Sequence, residues 1–447
     1  MAISRSLSIG ASSLRAHQLK FDTISNNLAN LNTIGYKGNR ANFEEQFYQV
    51  VSQGRSPESV DGIGTGGTNP LQFGLGVKLG SISQDMAQGT IEATNRPLDL
   101  AIQGEGFFIY NLNGQNMYSR AGNVSRDKNG FLVDSSTGAI LQGYSVKADA
   151  SGIVSKTNGV NDLVGTVGNL NIPNNIISAP NQTQIVKMTG NLNANNPNGA
   201  EKVTTISVYD NVGGVHELKL TFTFDVGADP LDPTDDFYAI QAQIDGVDID
   251  LNDTTPAVIS QIAFNTDGTI QAPFSLSLLQ ADLDTLLPGR FDNDIVVQLA
   301  DPNQITAGIT NYAAPNSATF TEQDGYQAGG LIDLSVDSRG QVWGAFTNGK
   351  SERLGQVALA KFTNNEGLVR NGANFYRESP NSGIPNVGTA VDIFPSTAVA
   401  GGALEQSNVD MTVQFTDMIS TQRAYEAAAR TITLSDQILN ETTNLKR

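Results

Sequence analysis

The sequence predicts a multidomain, mainly β protein with terminal α-helices. The N- and C-terminal helices pair as a coiled-coil-like domain, and nested all-β domains lie between them. Three observations predict this. Both ends carry apolar residues in steps of four and three, the spacing of a helix that offers one seam to another helix. The middle is rich in Gly, Asn, Ser and Thr, with short alternating runs bounded by turn residues. The chain has 447 residues, too many for one simple core.

At the N-terminus the seam runs Ile3, Leu7, Gly10, Leu14, His17, Phe21, Ile24, Leu28 and Leu31. Polar residues lie between, and Asn30, Asn32 and Gly35 supply a stop. At the other end Ser407-Asn408-Val409-Asp410 reads as a cap with an acid three residues on. Behind it come Met411, Phe415, Met418, Gln422, Tyr425, Ala429, Ile432, Asp436 and Leu439, with Leu434 and Ile438 widening the stripe. Neither Pro nor Gly interrupts the chain from Ser407 onward, so the helix extends over about 36 residues, roughly 50 Å. Neither seam alone offsets the entropy of ordering so long a segment, so each helix needs a partner surface.

Between the helices, Asn42–Tyr48 reads as a short amphipathic piece and residues 50–76 as an irregular connecting arm or binding loop. Short strands follow from about 75 to 146. Leu98, Leu100 and Ile102 alternate, and Asp127-Lys128-Asn129-Gly130 turns between Val124 and Phe131. The same texture returns from about 324 to 377, where Ile332, Leu334 and Val336 alternate and Asp337-Ser338-Arg339-Gly340 and Asn348-Gly349 turn. The intervening stretch carries its own strands, among them Leu218 to Phe224 and Tyr238 to Ile244, with a Gly213-Gly214 hairpin. The order implies nesting. Residues 1–34 with 405–447 form the helical unit, 35–74 with 376–404 a linker region, 75–146 with 324–375 a first β domain, and 147–323 an inserted outer β domain.

The chemistry read from the sequence is sparse. Net charge is −18, from 27 basic and 45 acidic residues, the wrong balance for a nucleic-acid partner. No apolar run is long enough to span a membrane, so no membrane insertion is expected. The first residues lack the greasy core of a signal peptide. Absence of cysteine excludes disulfides, thiolate catalysis and cysteine metal sites. Aspartates crowd the insertion (Asp229, Asp232, Asp235, Asp236, Asp245, Asp248, Asp250, Asp253), but not at calcium-loop spacing. The two histidines, His17 and His216, are too far apart in the chain to suggest a metal site or triad. Gly104-Glu105-Gly106 lacks the spacing of a phosphate loop. Trp343 sits at an alternating strand position and reads as core. No catalytic, cofactor-binding or metal residues are expected, and the chain is not expected to be an enzyme.

The run SNNLANLNTIGYK carries Ser25, Asn26, Asn27, Asn30, Asn32, Gly35, Tyr36 and Lys37. It resembles the N-terminal signature of bacterial flagellar rod and hook proteins. The C-terminal run from Ala403 to Asn440 resembles the matching end of that family. GSISQDMAQGTIEATNRPLDLAIQGEGFF (80–108) and LGQVALAKFTNNEGL (354–368) resemble the two halves of its first β domain. The large insertion, with QIVKMTGNLNANNP (184–197), resembles the hook branch rather than the rod branch. The resemblance implies a structural subunit that polymerises with itself into a curved, flexible tube, a universal joint, at the extracellular end of the basal body. It further implies contacts with the distal rod, the hook cap, the hook–filament junction and the flagellar export apparatus, which would export the chain without a cleavable signal peptide. In such a tube the terminal helices, with Leu7, Leu14, Phe21, Ile24, Leu28, Leu31, Met411, Phe415, Met418, Tyr425, Ile432 and Leu439, would form the subunit contacts. The alternatives are a rod-type member of the family, or a secreted acidic all-β binding module or adhesin. The adhesin reading leaves the two seamed ends without a purpose.

Overall fold

A computed structural model describes the chain except residues 1, 61–62, 148–155, 158–159, 162, 226–236, 250, 252–259, 272–273, 302–307, 392–393 and 446–447. Of the acidic series, Asp229, Asp232, Asp235, Asp236, Asp250 and Asp253 lie outside the described residues. Helix α1 spans Ala2–Ala29, the short α2 Gln280–Leu286 and α3 Met411–Asn444. Everything else with regular structure among the described residues is strand, apart from one short 3-10 turn.

The two long helices pack together and run antiparallel. Ser6 Oγ lies 3.0 Å from Ser435 Oγ at one end, and Asn27 Nδ2 donates to Gln414 Oε1 at 3.1 Å at the other. Helix α3 is capped differently from the expectation. Asp410, not Ser407, is the N-cap, and its carboxylate accepts from the Thr412 and Val413 amides at 2.7 and 3.1 Å. An aspartate directly before the helix reaches those free amides better than a serine three residues further out.

The first β domain joins segments from both sides of the insertion. Strand Ser351–Val357 pairs antiparallel with Ile140–Ser145, and Leu359–Lys361 with Phe107–Leu112. Phe107–Leu112 is buried on both faces. Phe108 and Tyr110 enter one core with Leu100, Leu141 and Leu354. Phe107 and Ile109 enter a second with Tyr118, Phe362 and Tyr376. The period-two alternation of side chains sends neighbours to opposite cores.

Two segments placed elsewhere by the sequence reading pair or pack with residues of this domain. Residues 376–404 were expected as linker but add strands to this domain. Ala398–Gly401 pairs with Leu100–Gln103, and Ala403–Glu405 pairs with Ile91–Ala93. Phe394 and Val399 are core residues there. Likewise Leu170, Ile172 and Ile176, expected in the insertion, pack in the first core, and Ile177–Ser178 pairs with Gly329–Val336. These segments are short and glycine- or proline-punctuated, so no alternation long enough to read marks them.

The outer domain begins after Ser178. Strands Glu201–Tyr209, Val215–Asp225 and Phe237–Ile244 form an antiparallel meander. A second sheet runs through Ser275–Leu278, Ile295–Gln298 and Ile185–Asn191. Their inner faces share one core that includes Val186, Leu220, Phe222, Tyr238, Ile240, Leu276 and Val297, a β-sandwich arrangement. The expected inward rows, Leu218 to Phe224 and Tyr238 to Ile244, are buried throughout. Three turns of the form Asp-x-x-Gly are built alike in the two β domains. Asp127, Asp210 and Asp337 each accept, through Oδ1, from the amides two and four residues ahead.

Two single-residue expectations fail in the first domain. A bulge between Leu331 and Asp333 shifts the register, so Ile332 faces out, 67% exposed, while Leu334 stays in. Trp343 is half-buried on the face opposite Val342 and Phe346, and its indole donates to Asp337 Oδ2 at 3.2 Å. Residues 42–76 also differ from the expectation. Asn39–Glu45 pairs with Val77–Gln84, Tyr48–Ser52 with Leu71–Gly74, and Glu58–Val60 with Ile63–Thr65. The supposed amphipathic piece and loop are a long two-stranded ribbon. Its glycines and polar residues blur the alternation that would have marked it.

Candidate assembly surface

Where the two helices meet, small and polar residues are the most deeply buried, and most of the large apolar ones are only partly covered. On α3 the positions facing inward recur every seventh residue, at Gln414, Thr421, Ala428 and Ser435, half-buried or buried in turn. On α1, Gly10 packs against α3, where a Cβ would lie 2.8 Å from Ile432 Cγ1. Small residues let the two backbones approach and leave the larger seam residues at the flanks. Ile24 is buried, and Leu7, Leu14, Leu28, Leu31, Met418, Ile432 and Leu439 are half-buried. Phe21, Met411, Phe415 and Tyr425 remain exposed, as do Leu434 and Ile438.

The exposed apolar surface is concentrated here. Among the described residues, 19 of the 31 exposed large hydrophobic side chains lie on α1, on α3 with the residue that follows it, or on the ribbon between residues 39 and 84. Clustered exposure of this kind marks a surface that meets another surface. The ribbon is tied to α1 at several points. Arg5 Nη1 donates to Gln49 Oε1 at 3.3 Å and its guanidinium lies 5.1 Å from the Phe73 ring. His17 stacks edge-on against Phe43 at 5.4 Å. Burial pulls the His17 imidazole below its ordinary pKa, and the Lys20 ammonium adds to the effect.

The signature Ser25 to Lys37 builds the junction between this surface and the first β domain. Asn27, fully buried, accepts at Oδ1 from the Asn39 amide at 2.9 Å and donates from Nδ2 to the Asn39 carbonyl at 2.8 Å. Asn30 donates to Asn26 Oδ1 at 2.8 Å and accepts from the Thr33 hydroxyl at 3.1 Å, closing the end of α1. Gly35 has φ +66°, and a Cβ there would lie 2.6 Å from the Ala121 amide nitrogen, so only glycine fits. Its amide donates to the Glu405 carbonyl at 2.8 Å. Tyr36 lies under the Arg370 guanidinium, 4.8 Å from its ring centre. Ser25 is half-buried and Asn32 exposed, outside this network.

Lys37 ends the motif inside the protein. Its Nζ donates to Glu405 Oε1 at 2.6 Å and to the Ala87 carbonyl at 2.7 Å, with both charged side chains essentially inaccessible to water. Arg120 Nη1 approaches Glu405 Oε2 at 3.4 Å, and the Gly89 amide donates to Oε1 at 2.8 Å. Burial pulls the Lys37 and Arg120 pKa values down, against the opposite pull of Glu405. Arg370 Nη2 donates to the Lys37 carbonyl. Asn408 closes the other side, accepting from the Gly38 amide at 2.8 Å and donating to the Asp85 and Ala87 carbonyls. One carboxylate thus ties the end of α1, the first β domain and the strand that leads to α3. Sequence reasoning did not find Glu405, Arg120, Arg370 or Asn408.

His216 pairs with Asp245, Nδ1 to Oδ2 at 2.7 Å, at the turn of the neighbouring strand. Among the described residues no group of three or more His, Asp or Glu is placed to hold a metal ion. No described helix is long and apolar enough to cross a membrane.

Residues 7–37 match the family model of flagella basal body rod proteins, and residues 400–445 that of the flagellar basal body rod FlgEFG protein C-terminal region. Residues 101–194 match the flagellar hook protein FlgE/F/G D1 domain, and residues 171–326 the flagellar basal body protein FlaE D2 domain. The flagellar hook protein FlgE of Treponema pallidum is 32% identical over 99% of this chain and 100% of its own length. The chain belongs to the flagellar hook protein family. A second hook relative, FlgE of Salmonella typhimurium, is 30% identical over 99% of this chain and all of its own. The basal-body rod protein FlgG of Bacillus subtilis is more distant, 25% identical over 99% of each. The matches to the D1 and D2 models overlap between residues 171 and 194.

Proposed function

We propose that this chain is the structural subunit of a bacterial flagellar hook and that its terminal helices and ribbon form the contacts between subunits. The observation that carries the reading is the concentration of exposed large apolar side chains on α1, α3 and the ribbon, in a chain matched end to end by hook proteins. The β domains bury their own cores. The ends do not, and a repeated contact that does not close on itself builds a helical tube. In this reading the helices and ribbon are the inner unit of the tube and the outer sandwich is the most peripheral. Membership of the hook family supports extending this reading to a flexible linkage between rod and filament and to contacts with rod, cap and junction proteins. Phe415 tests the reading. It is exposed in the single chain, so Phe415→Asp leaves monomer stability within about 0.5 kcal/mol. The expected outcome is loss of tube formation by electron microscopy and sedimentation. Normal tubes from this variant overturn the assignment of the surface.

A further inference from the structure

Beside the contact between the long helices lies a notch of about 360 Å³ lined by His17, Gln18, Phe21, Asp22, Thr421, Gln422 and Tyr425. Its walls are partly aromatic, with Phe21 and Tyr425 both exposed at the rim. Thr421 is only 3% exposed, yet its hydroxyl has no hydrogen-bond partner. The Nδ1 of His17 is also buried and without a partner. A buried polar atom left unpaired costs about 1–3 kcal/mol, and a helical threonine ordinarily relieves this by bonding the carbonyl one turn back, as Thr416 and Thr23 do here. Two unpaired atoms in one aromatic-walled notch mark a place built for a group that arrives from outside.

We propose that this notch receives a side chain with an apolar stem and a hydrogen-bonding tip, an amide or a hydroxyl, from a second copy of this chain. The inference rests on the subunit reading above and gives it an anchor point. The notch lies within the apolar surface of α1 and α3, and the surfaces able to match that area are the same helices and ribbon of another copy.

The absence of cysteine makes the test direct. Gln422→Cys places a single thiol on the rim, and Gln18→Cys places one on the opposite rim, so one variant serves if the other perturbs assembly. The thiol is expected to react freely with a maleimide in the dilute chain and to be protected in tubes. A photoprobe attached there is expected to crosslink to a different copy in tubes mixed from isotopically light and heavy chains. Equal reactivity in both states, or crosslinks confined to one chain, overturns the proposal. Thr421→Val keeps the shape and removes the hydroxyl. The critical concentration for assembly should then rise about fivefold or more with no loss of melting temperature in the dilute chain, whereas an unchanged critical concentration contradicts it. Tubes that form with an open notch defeat this inference alone. Wild-type chain that forms no tubes at all defeats the subunit reading with it.

Discussion

The outer sandwich and the helix pair answer the same physical demand in opposite ways. In the sandwich, every second residue from Leu218 to Phe224 and from Tyr238 to Ile244 is buried, so these side chains are satisfied within one chain. In the helix pair, the contact is made by Ser6, Gly10, Asn27, Gln414, Thr421, Ala428 and Ser435, while Phe21, Met411, Phe415 and Tyr425 stay outside. A region that buries its own large side chains is finished when it folds. A region that brings two helices together through small residues keeps its large ones for another surface. The junction at Glu405 joins the two kinds of region.

The sharpest way to break this contrast is at that junction. Glu405→Gln leaves Lys37 and Arg120 buried without their counter-charge and should cost about 3–5 kcal/mol, read as a lower denaturant midpoint for the first β domain. It should also loosen the ends, since the same residue carries the strand into α3. A small loss would mean that the cations find other partners. Phe222→Ala should cost the sandwich about 3–5 kcal/mol through the cavity it leaves, yet tubes should still form wherever the domain remains folded. Loss of tubes with a folded outer domain would place a subunit contact where none is assigned. Asp410→Ala should remove about 1 kcal/mol of cap energy from α3. Because α3 is only half-buried in the single chain, the change should appear as weaker helical signal in the dilute chain and largely disappear in tubes. If the loss is as large in tubes, assembly does not hold the helix end.

What could be read from the sequence follows the same division. Long elements with one repeating period were legible: the two helices, and the strands from Leu218 to Phe224 and Tyr238 to Ile244. The aspartate–glycine turns were legible too, because the carboxylate and the glycine do local work that no distant contact replaces. The ribbon from 39 to 84 was not, since its glycines and polar residues carry no clear period. Strands such as Ala398–Gly401 were missed because three or four residues cannot announce a partner some three hundred residues away. In the junction, the signature from Ser25 to Lys37 could be recognised as a motif. Its purpose could not, because Lys37 is explained by Glu405 and Arg120, which only the fold brings to it. The small-residue stripe at 414, 421, 428 and 435 has a heptad period that an apolar template passes over.

The most direct test of the central claim compares amide hydrogen exchange of the dilute chain with that of assembled tubes. The account predicts that amides of α1 and α3 exchange much faster than those of the two β cores in the dilute chain, and that they become protected on assembly while the cores change little. Helix amides already as protected as the cores in the dilute chain, and unchanged in tubes, would contradict it: the helix pair would then be complete within one molecule.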